Sequence, residues 1–265
     1  MSEAVRAVPS CSMHKPCILI PFYNHGGAIA HVLAGLRPLG LPCRIVDDGS
    51  DAQAQQALAH AANLEGSWVT LQRLASNQGK GAAVMAGCEA ALADGFTHAV
   101  QIDADGQHLS SDVPRLLEAS RRQPDALISG QAVYDASVPR TRLYGRYLTH
   151  VWVWINTLSL EIKDSMCGLR VYPLASSCEV WRRQHVGRRM DFDTEIMVRM
   201  SWMGVPIVNI PTRVTYPVDG VSHFRMLKDN VFISWMHSRL FFGMLWRLPH
   251  ILGRRLLRRA PGRAA

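Results

Sequence analysis

Up to Asp105, three short apolar runs each stop at a polar loop, and a helix-forming stretch follows each of the first two. Cys17–Pro21 leads into Tyr23-Asn24-His25-Gly26-Gly27, Arg44-Ile45-Val46 into Asp47-Asp48-Gly49-Ser50, and His98–Ile102 into Asp103-Ala104-Asp105. Runs this short, bounded by Pro, Gly, Asn and Asp, read as buried strands. Residues 27–36, the alanine-rich Ala52–Ala62 and Ala82–Asp94 read as helices, and Val69–Leu74 as a further strand. Strands that alternate with helices pair in parallel, because a parallel connection needs a crossover that a helix supplies. The expected class is α/β, a mostly parallel sheet flanked by helices. In such a sheet ligands bind at the carboxyl ends of the strands, so the three polar loops should converge on one site. The chain is less regular from about residue 130 until a helix at Asp193–Met203 and a strand at Val205–Ile210.

The chain has 265 residues, enough for a full core in one domain. The spacing suggests a body over 15–228 and an extension over 229–265. Most of the formal net charge of +8 resides in that extension, which has no acidic residue after Asp229 but carries Arg239, Arg247, Arg254, Arg255, Arg258, Arg259 and Arg263. The neighbours of these arginines are Trp, Phe, Leu and Met, which favours a lipid surface over nucleic acid. Val231–Leu248 approaches the length of a bilayer span, but a mid-helix arginine costs ~2.5–3.5 kcal/mol on insertion scales. A helix lying in the interface is therefore expected, ended or kinked at Pro249 and followed by a shorter amphipathic piece at Ile251–Arg259. Leu148–Leu160, with Trp152 and Trp154, reads either as another interfacial helix or as core.

Six cysteines at 11, 17, 43, 88, 167 and 178 contain no C-x-x-C pair, so neither a zinc site nor a disulfide scaffold is indicated. A reducing cytosol is the simplest compartment. Glu3, Arg6, Pro9, His14, Lys15 and Pro16 interrupt the first seventeen residues, which leaves no apolar run for a secretory signal. The body is expected on the cytoplasmic face of a membrane, peripheral or monotopic.

Asp103-Ala104-Asp105 can present two carboxylates to one hard cation, Mg²⁺ or Mn²⁺, which in turn binds a diphosphate. An EF-hand is excluded because Pro114 stands where the closing glutamate belongs. Asn77-Gln78-Gly79-Lys80-Gly81 opens a helix like a phosphate cradle. It is neither a P-loop nor a Rossmann fingerprint, since Leu74 and Val84 occupy positions that need glycine.

Together, Ile20–Asn24, Ile45–Ser50, Asn77–Gly81, Gln101–His108 and Asp164–Arg170 resemble the ordered motifs of family-2 glycosyltransferases, most closely the polyprenyl-phosphate hexosyltransferases. The resemblance implies the GT-A fold, C-terminal amphipathic helices, and inverting transfer of a hexose from UDP or GDP to a lipid acceptor. It implies that Pro21, Tyr23, Asn24, Asp47, Asp48 and Lys80 line the nucleotide pocket, and that Asp103, Asp105 and Gln107 hold metal and diphosphate. Arg170 would meet phosphate or position the acceptor loop. The chain departs from the family at Pro217–His223, where the family's R-x-x-G-x-S-K loop has lost its arginine and lysine; Arg225 or Lys228 would supply the charge.

A phosphate acceptor needs no base, being mostly ionised at neutral pH. A hydroxyl acceptor does, and Asp193 and Glu195 are the candidates. The competing readings are direct glycosylation of a lipid hydroxyl and a non-catalytic nucleotide-sugar-binding protein.

Overall fold

The computed structural model describes residues 13–133, 140–214 and 226–259. Arg225 and the Pro217–His223 segment lie outside them.

The core is built on β1 (Pro16–Phe22), whose side chains are buried from Cys17 onward. Ile18, Ile20 and Phe22 point to one hydrophobic layer, Cys17 and Leu19 to the other. Burial on both faces is what a central parallel strand requires. The chain continues as α1 (Ile29–Leu36), β2 (Cys43–Asp47), α2 (Ala52–Glu65), β3 (Val69–Arg73), α3 (Lys80–Ala93), β4 (His98–Gln101), α4 (Val113–Arg122) and β5 (Leu127–Val133). It then forms α5 (Arg140–Thr157), β6 (Arg170–Pro173), α6 (Leu174–Arg183), α7 (Phe192–Met203), β7 (Ile207–Arg213) and α8 (Met226–Arg259).

The described strands form one sheet in the order β3-β2-β1-β4-β6-β5-β7. Only β6 runs against the rest, pairing antiparallel with β4 and β5. From β1 the strand order runs outward through β2 and β3 on one side and starts again with β4 on the other. The crevice at this reversal is where a doubly wound sheet binds ligand, and it lies between the ends of β1 and β4. The convergence expected from the three polar loops is present. Regular structure between 130 and 192 exceeds expectation: β6 has only four residues and takes its strand identity from pairing with β4, which no local pattern announces.

The expected break at Pro249 is absent, since α8 is continuous from Met226 to Arg259 with Pro249 inside it. A proline leaves one carbonyl without its donor, and here packing on the body holds the helix together across that point. Met236, Leu240, Met244 and Ile251 are buried in the layer that also holds Val153 of α5 and Trp202 of α7. The extension is therefore part of the core rather than an appendage. Three of its arginines also face the body. Arg239 pairs with Glu195, Arg247 lies 5.0 Å over the Trp202 ring, and Arg254 donates to the Trp202 carbonyl. The opposite surface carries exposed Val231, Phe232, Trp235, Phe242, Leu245 and Trp246. α5 divides in the same way, with Val153, Asn156 and Thr157 buried and Tyr147, Leu148, Val151, Trp152 and Ile155 exposed. The core reading of this stretch holds for one side of the helix, and the other side is exposed and apolar.

His237 of α8 is buried against α5, its Nδ1 3.4 Å from the Asn156 amide and its ring 5.9 Å from that of Trp152. Burial lowers its pKa from 6.5 to about 4. On acidification the unfolded chain takes up this proton first, so the contribution to stability is complete above pH 6.5 and is lost as pH falls toward 4. His237→Leu should therefore lose less melting temperature between pH 7 and about pH 4.5 than the parent chain does, measured by thermal unfolding. An unchanged acid limb would show that His237 is not buried in its neutral form.

Candidate active site

At the ends of β1 and β2, most of the polar residues hold one another. Asn24 adopts φ 55°, accepts the Asp51 amide proton on Oδ1 at 2.9 Å, and donates its own N–H to Ser50 Oγ at 3.0 Å. Asp47 accepts from the Ser50 amide and from Arg73 Nε, both at 3.0 Å. Asp48 is buried and receives the Gln78 and Gly79 amides at 2.7 and 2.8 Å. Burial raises the Asp48 pKa, and these two amides oppose that rise. Asp47, Asp48 and Asn24 thus tie the loops after β1 and β2 together and to the start of α3. Pro21 is buried within β1, and half-buried Tyr23 lies at its end.

Asp48 thereby shapes the cradle. The helix begins at Lys80, two residues earlier than its alanines suggest, and the Asp48 carboxylate thirty residues away holds the Gln78 and Gly79 amides that lead into it. Gly79 sits at φ 105°, and a Cβ there would lie 2.3 Å from the Arg188 carbonyl oxygen. That carbonyl accepts the Ala82 N–H at 3.2 Å, while Arg189 donates to Asn77 Oδ1 at 3.1 Å. The Gly187–Asp191 loop therefore forms the far wall of the cradle. Its sequence carries no motif, and only proximity to Asn77–Gly81 reveals the role.

Lys80 joins three elements. Its Nζ lies 2.9 Å from carboxylate oxygens of both Asp103, after β4, and Asp193, in the first turn of α7. Burial works against the ammonium, but the two carboxylates outweigh it and hold Lys80 above the ordinary lysine range. Burial likewise opposes the charge on Asp103, yet Lys80 dominates and lowers its pKa. Asp105 is raised, first by burial and then by the charge on Asp103. Its Oδ1 accepts the backbone N–H of Gln107 at 3.0 Å. Gly168 is required beside this cluster, because a Cβ there would fall 2.0 Å from Asp103 Oδ2.

Two expectations need correction. Arg170 is fully buried, 3.5 Å from Asp193 Oδ1, so of its two expected roles it does not meet phosphate directly. It donates to the carbonyls of Asp193 and Ser165, each at 2.8 Å, and so positions the 164–169 loop against α7. Glu195 is also fully buried. Its oxygens accept from Arg199 Nε at 2.7 Å, the Gly187 amide at 2.9 Å and Arg239, which leaves it no path to an acceptor. Helical spacing from Asp193 points it to another side of α7.

Asp103 and Asp105 fit a divalent cation. They are hard oxygen donors at one strand end, and the pKa of Asp105 is raised first by burial and then by the Asp103 charge, which a cation would offset. No group of three His, Cys, Asp or Glu side chains is placed to hold one metal ion among the described residues, so diphosphate and water would complete the coordination. Beside the pair, His108 has a buried Nδ1 with no hydrogen-bond partner among the described residues. Burial lowers its pKa, and Asp103 and Asp105 oppose that shift. The sequence motif contained His108, but its position beside both carboxylates is a tertiary result.

Residues 17–186 match the model described as Glycosyl transferase family 2. The chain belongs to this family. Among relatives of this family 2 chain, a dolichyl-phosphate beta-glucosyltransferase of Dictyostelium discoideum is 25% identical over 208 residues, covering 73% of this chain and 62% of that protein. An undecaprenyl-phosphate 4-deoxy-4-formamido-L-arabinose transferase of Pseudomonas aeruginosa is 31% identical over 161 residues, 58% of this chain and 46% of that protein. The chain thus spans about half to three-fifths of the length of these two relatives. Among solved structures, glucosyl-3-phosphoglycerate synthase from Mycobacterium tuberculosis, in complex with Mn²⁺, UDP-glucose and phosphoglyceric acid, superposes with a TM-score of 0.62 at 13% identity, covering 88% of this chain and 80% of that one. The family 2 chain therefore has the GT-A fold.

Asp48→Asn tests the cradle. An amide offers one acceptor oxygen where the carboxylate offers two, so its NH₂ group would face a backbone donor. Hydrogen bonds to charged groups are worth ~1.5–3 kcal/mol, and a loss of about 2 kcal/mol in denaturant-unfolding stability is expected. A stability unchanged from the parent would show that Asp48 does not hold the Gln78–Gly79 turn.

Proposed function

We propose that this chain transfers a hexose from UDP or GDP to a polyprenyl phosphate, with inversion, at the cytoplasmic face of a membrane. The observation that carries the choice of acceptor is the engagement of both candidate bases. Asp193 is bound to Lys80, and Glu195 is enclosed by Arg199, Arg239 and the Gly187 amide. A hydroxyl nucleophile would have to lose its proton to one of them. A phosphate monoester, with a second pKa of ~6, arrives already ionised. The two relatives named for dolichyl and undecaprenyl phosphate support the same choice.

In this reading the nucleotide lies in the crevice between β1 and β4, against the wall held by Asn24, Asp47 and Asp48. Asn77–Gly81 and the start of α3 face the diphosphate, where free helix N–H groups favour an anion. Asp103 and Asp105 would hold Mg²⁺ or Mn²⁺, which when bound acts as a Lewis acid on the leaving diphosphate. Lys80 keeps its charge beside them and adds a fixed cation where negative charge develops. Arg170 holds the 164–169 loop so that Gly168 leaves room for the Asp103 carboxylate. The acceptor phosphate attacks the anomeric carbon from the side opposite the leaving group.

Purified full-length chain with a UDP- or GDP-hexose should glycosylate polyprenyl phosphate and leave the corresponding polyprenol untouched. Faster transfer to the alcohol would overturn the assignment. Asp103→Asn and Asp105→Asn should each abolish transfer with a native melting profile, since amides are poorer ligands for hard cations. Full activity in EDTA would remove the metal from the scheme.

The acceptor also explains the exposed apolar surface of α5 and α8. No described helix is long and apolar enough to cross a membrane. An amphipathic helix lying in the interface needs only one such side. Deleting α8 would open the core, so the test is a surface change: Trp235, Phe242 and Trp246, 66%, 69% and 87% exposed, replaced together by serine. The triple variant should keep its melting temperature and sediment at least about tenfold less with phospholipid vesicles, the loss expected from removing three aromatic side chains at ~25 cal/mol per Å². Undiminished sedimentation would place the membrane contact elsewhere.

A further inference from the structure

We infer that Arg239, on the C-terminal helix, is a positioning residue for the donor cradle and acts through Glu195. Glu195 is fully buried on α7 and receives two guanidinium groups from different directions. Arg199 takes Oε1 at 2.7 Å and Arg239 takes Oε2, the same oxygen that accepts the Gly187 amide at 2.9 Å. Arg199 sits one helical turn away and has a second partner in Gln184 Oε1 at 2.8 Å. A planar guanidinium and a carboxylate favour a two-point pair. Without Arg239, the Glu195 carboxylate is free to turn both oxygens toward Arg199, and Oε2 then leaves Gly187.

Gly187 opens the loop that forms the far wall of the cradle. The next carbonyl, Arg188, receives the Ala82 N–H and lies against Gly79, and Arg189 holds Asn77. Arg239 is thus linked through one carboxylate and one short loop to both ends of Asn77–Gly81. The same helix carries the exposed apolar side assigned to the membrane, so its seating on the body and the geometry of the donor loop share one ion pair. That the cradle serves a sugar nucleotide rests on the function proposed above.

The test compares Arg239→Gln, Arg239→Lys and Arg254→Gln in the full-length chain. Arg254 ties the same helix to the Trp202 carbonyl without touching Glu195. Amide exchange without nucleotide should accelerate at 77–82 and 185–191 in Arg239→Gln, return toward parent values in Arg239→Lys, and change only within α8 in Arg254→Gln. The donor KM should rise about tenfold in Arg239→Gln with a smaller change in kcat, on the scale by which a displaced positioning group costs up to ~10²-fold. Faster exchange confined to α8 in Arg239→Gln, or the same cradle response in Arg254→Gln, would reduce Arg239 to an anchor and overturn the proposal. Should Arg239→Gln fail to fold, the parent chain decides: UDP or GDP with Mn²⁺ should slow exchange around Arg239 as well as in the cradle, because coupling is reciprocal. Protection of the cradle alone would sink the coupling. If neither nucleotide binds the parent chain, it is the donor assignment that fails, while nucleotide-free exchange still tests the link from Arg239 to the loop.

Discussion

The Lys80 ammonium is the point on which the site depends. It is shared by a carboxylate that follows β4 and one that opens α7, so the two halves of the chain meet at a single positive charge. Removing it would leave Asp103 and Asp193 facing each other in a partly buried setting with Arg170, 3.5 Å from Asp193 Oδ1, as the remaining ion-pair partner of Asp193 among the described residues. Poorly compensated buried charge is among the costliest defects a fold can carry. Lys80 is placed by α3, whose approach is held by the Asp48 carboxylate and whose first turn meets the Arg188 carbonyl. The loops after β1 and β2, the Asn77–Gly81 loop and the Asp103 carboxylate are therefore one connected network.

α8 shows how arginines and apolar residues divide labour on one helix. Its arginines were expected to address lipid headgroups, yet Arg239, Arg247 and Arg254 reach inward to Glu195, Trp202 and the Trp202 carbonyl. This resolves the apparent conflict of charged residues within an apolar stretch: the charge is matched inside the protein, while the aromatic side is left outside. A guanidinium suits this use because its flat face stacks on an indole and its edge donates in several directions. The exposed apolar surfaces of α5 and α8, two helices that pack against each other, then belong to one continuous body with the catalytic crevice.

Much of the site was legible locally. The apolar runs, the loops after them and the order of Asp48, Lys80, Asp103 and Asp105 follow from patterns a few residues long, and the structure gathers these residues at the strand reversal. Arg170, Asp193 and Glu195 were legible as polar residues of interest but not in their roles. Arg170 looked accessible and is buried, and Asp193 and Glu195 looked alike, yet one faces Lys80 and the other faces Arg239. The two differ because residues two apart on a helix point in different directions, and only packing assigns a partner to each direction.

By itself, then, the sequence determined the alternating α/β order, the placement of the carboxylates at strand ends and the family they belong to. Those features rest on hydrophobic period and turn chemistry, which act between near neighbours. The tertiary structure alone decided which charges compensate which: Lys80 with Asp193 across 113 residues, Arg239 with Glu195 across 44, and Arg189 with Asn77 across 112. A charge on a linear chain is compatible with any opposite charge, and it acquires a partner only when burial removes water as the alternative.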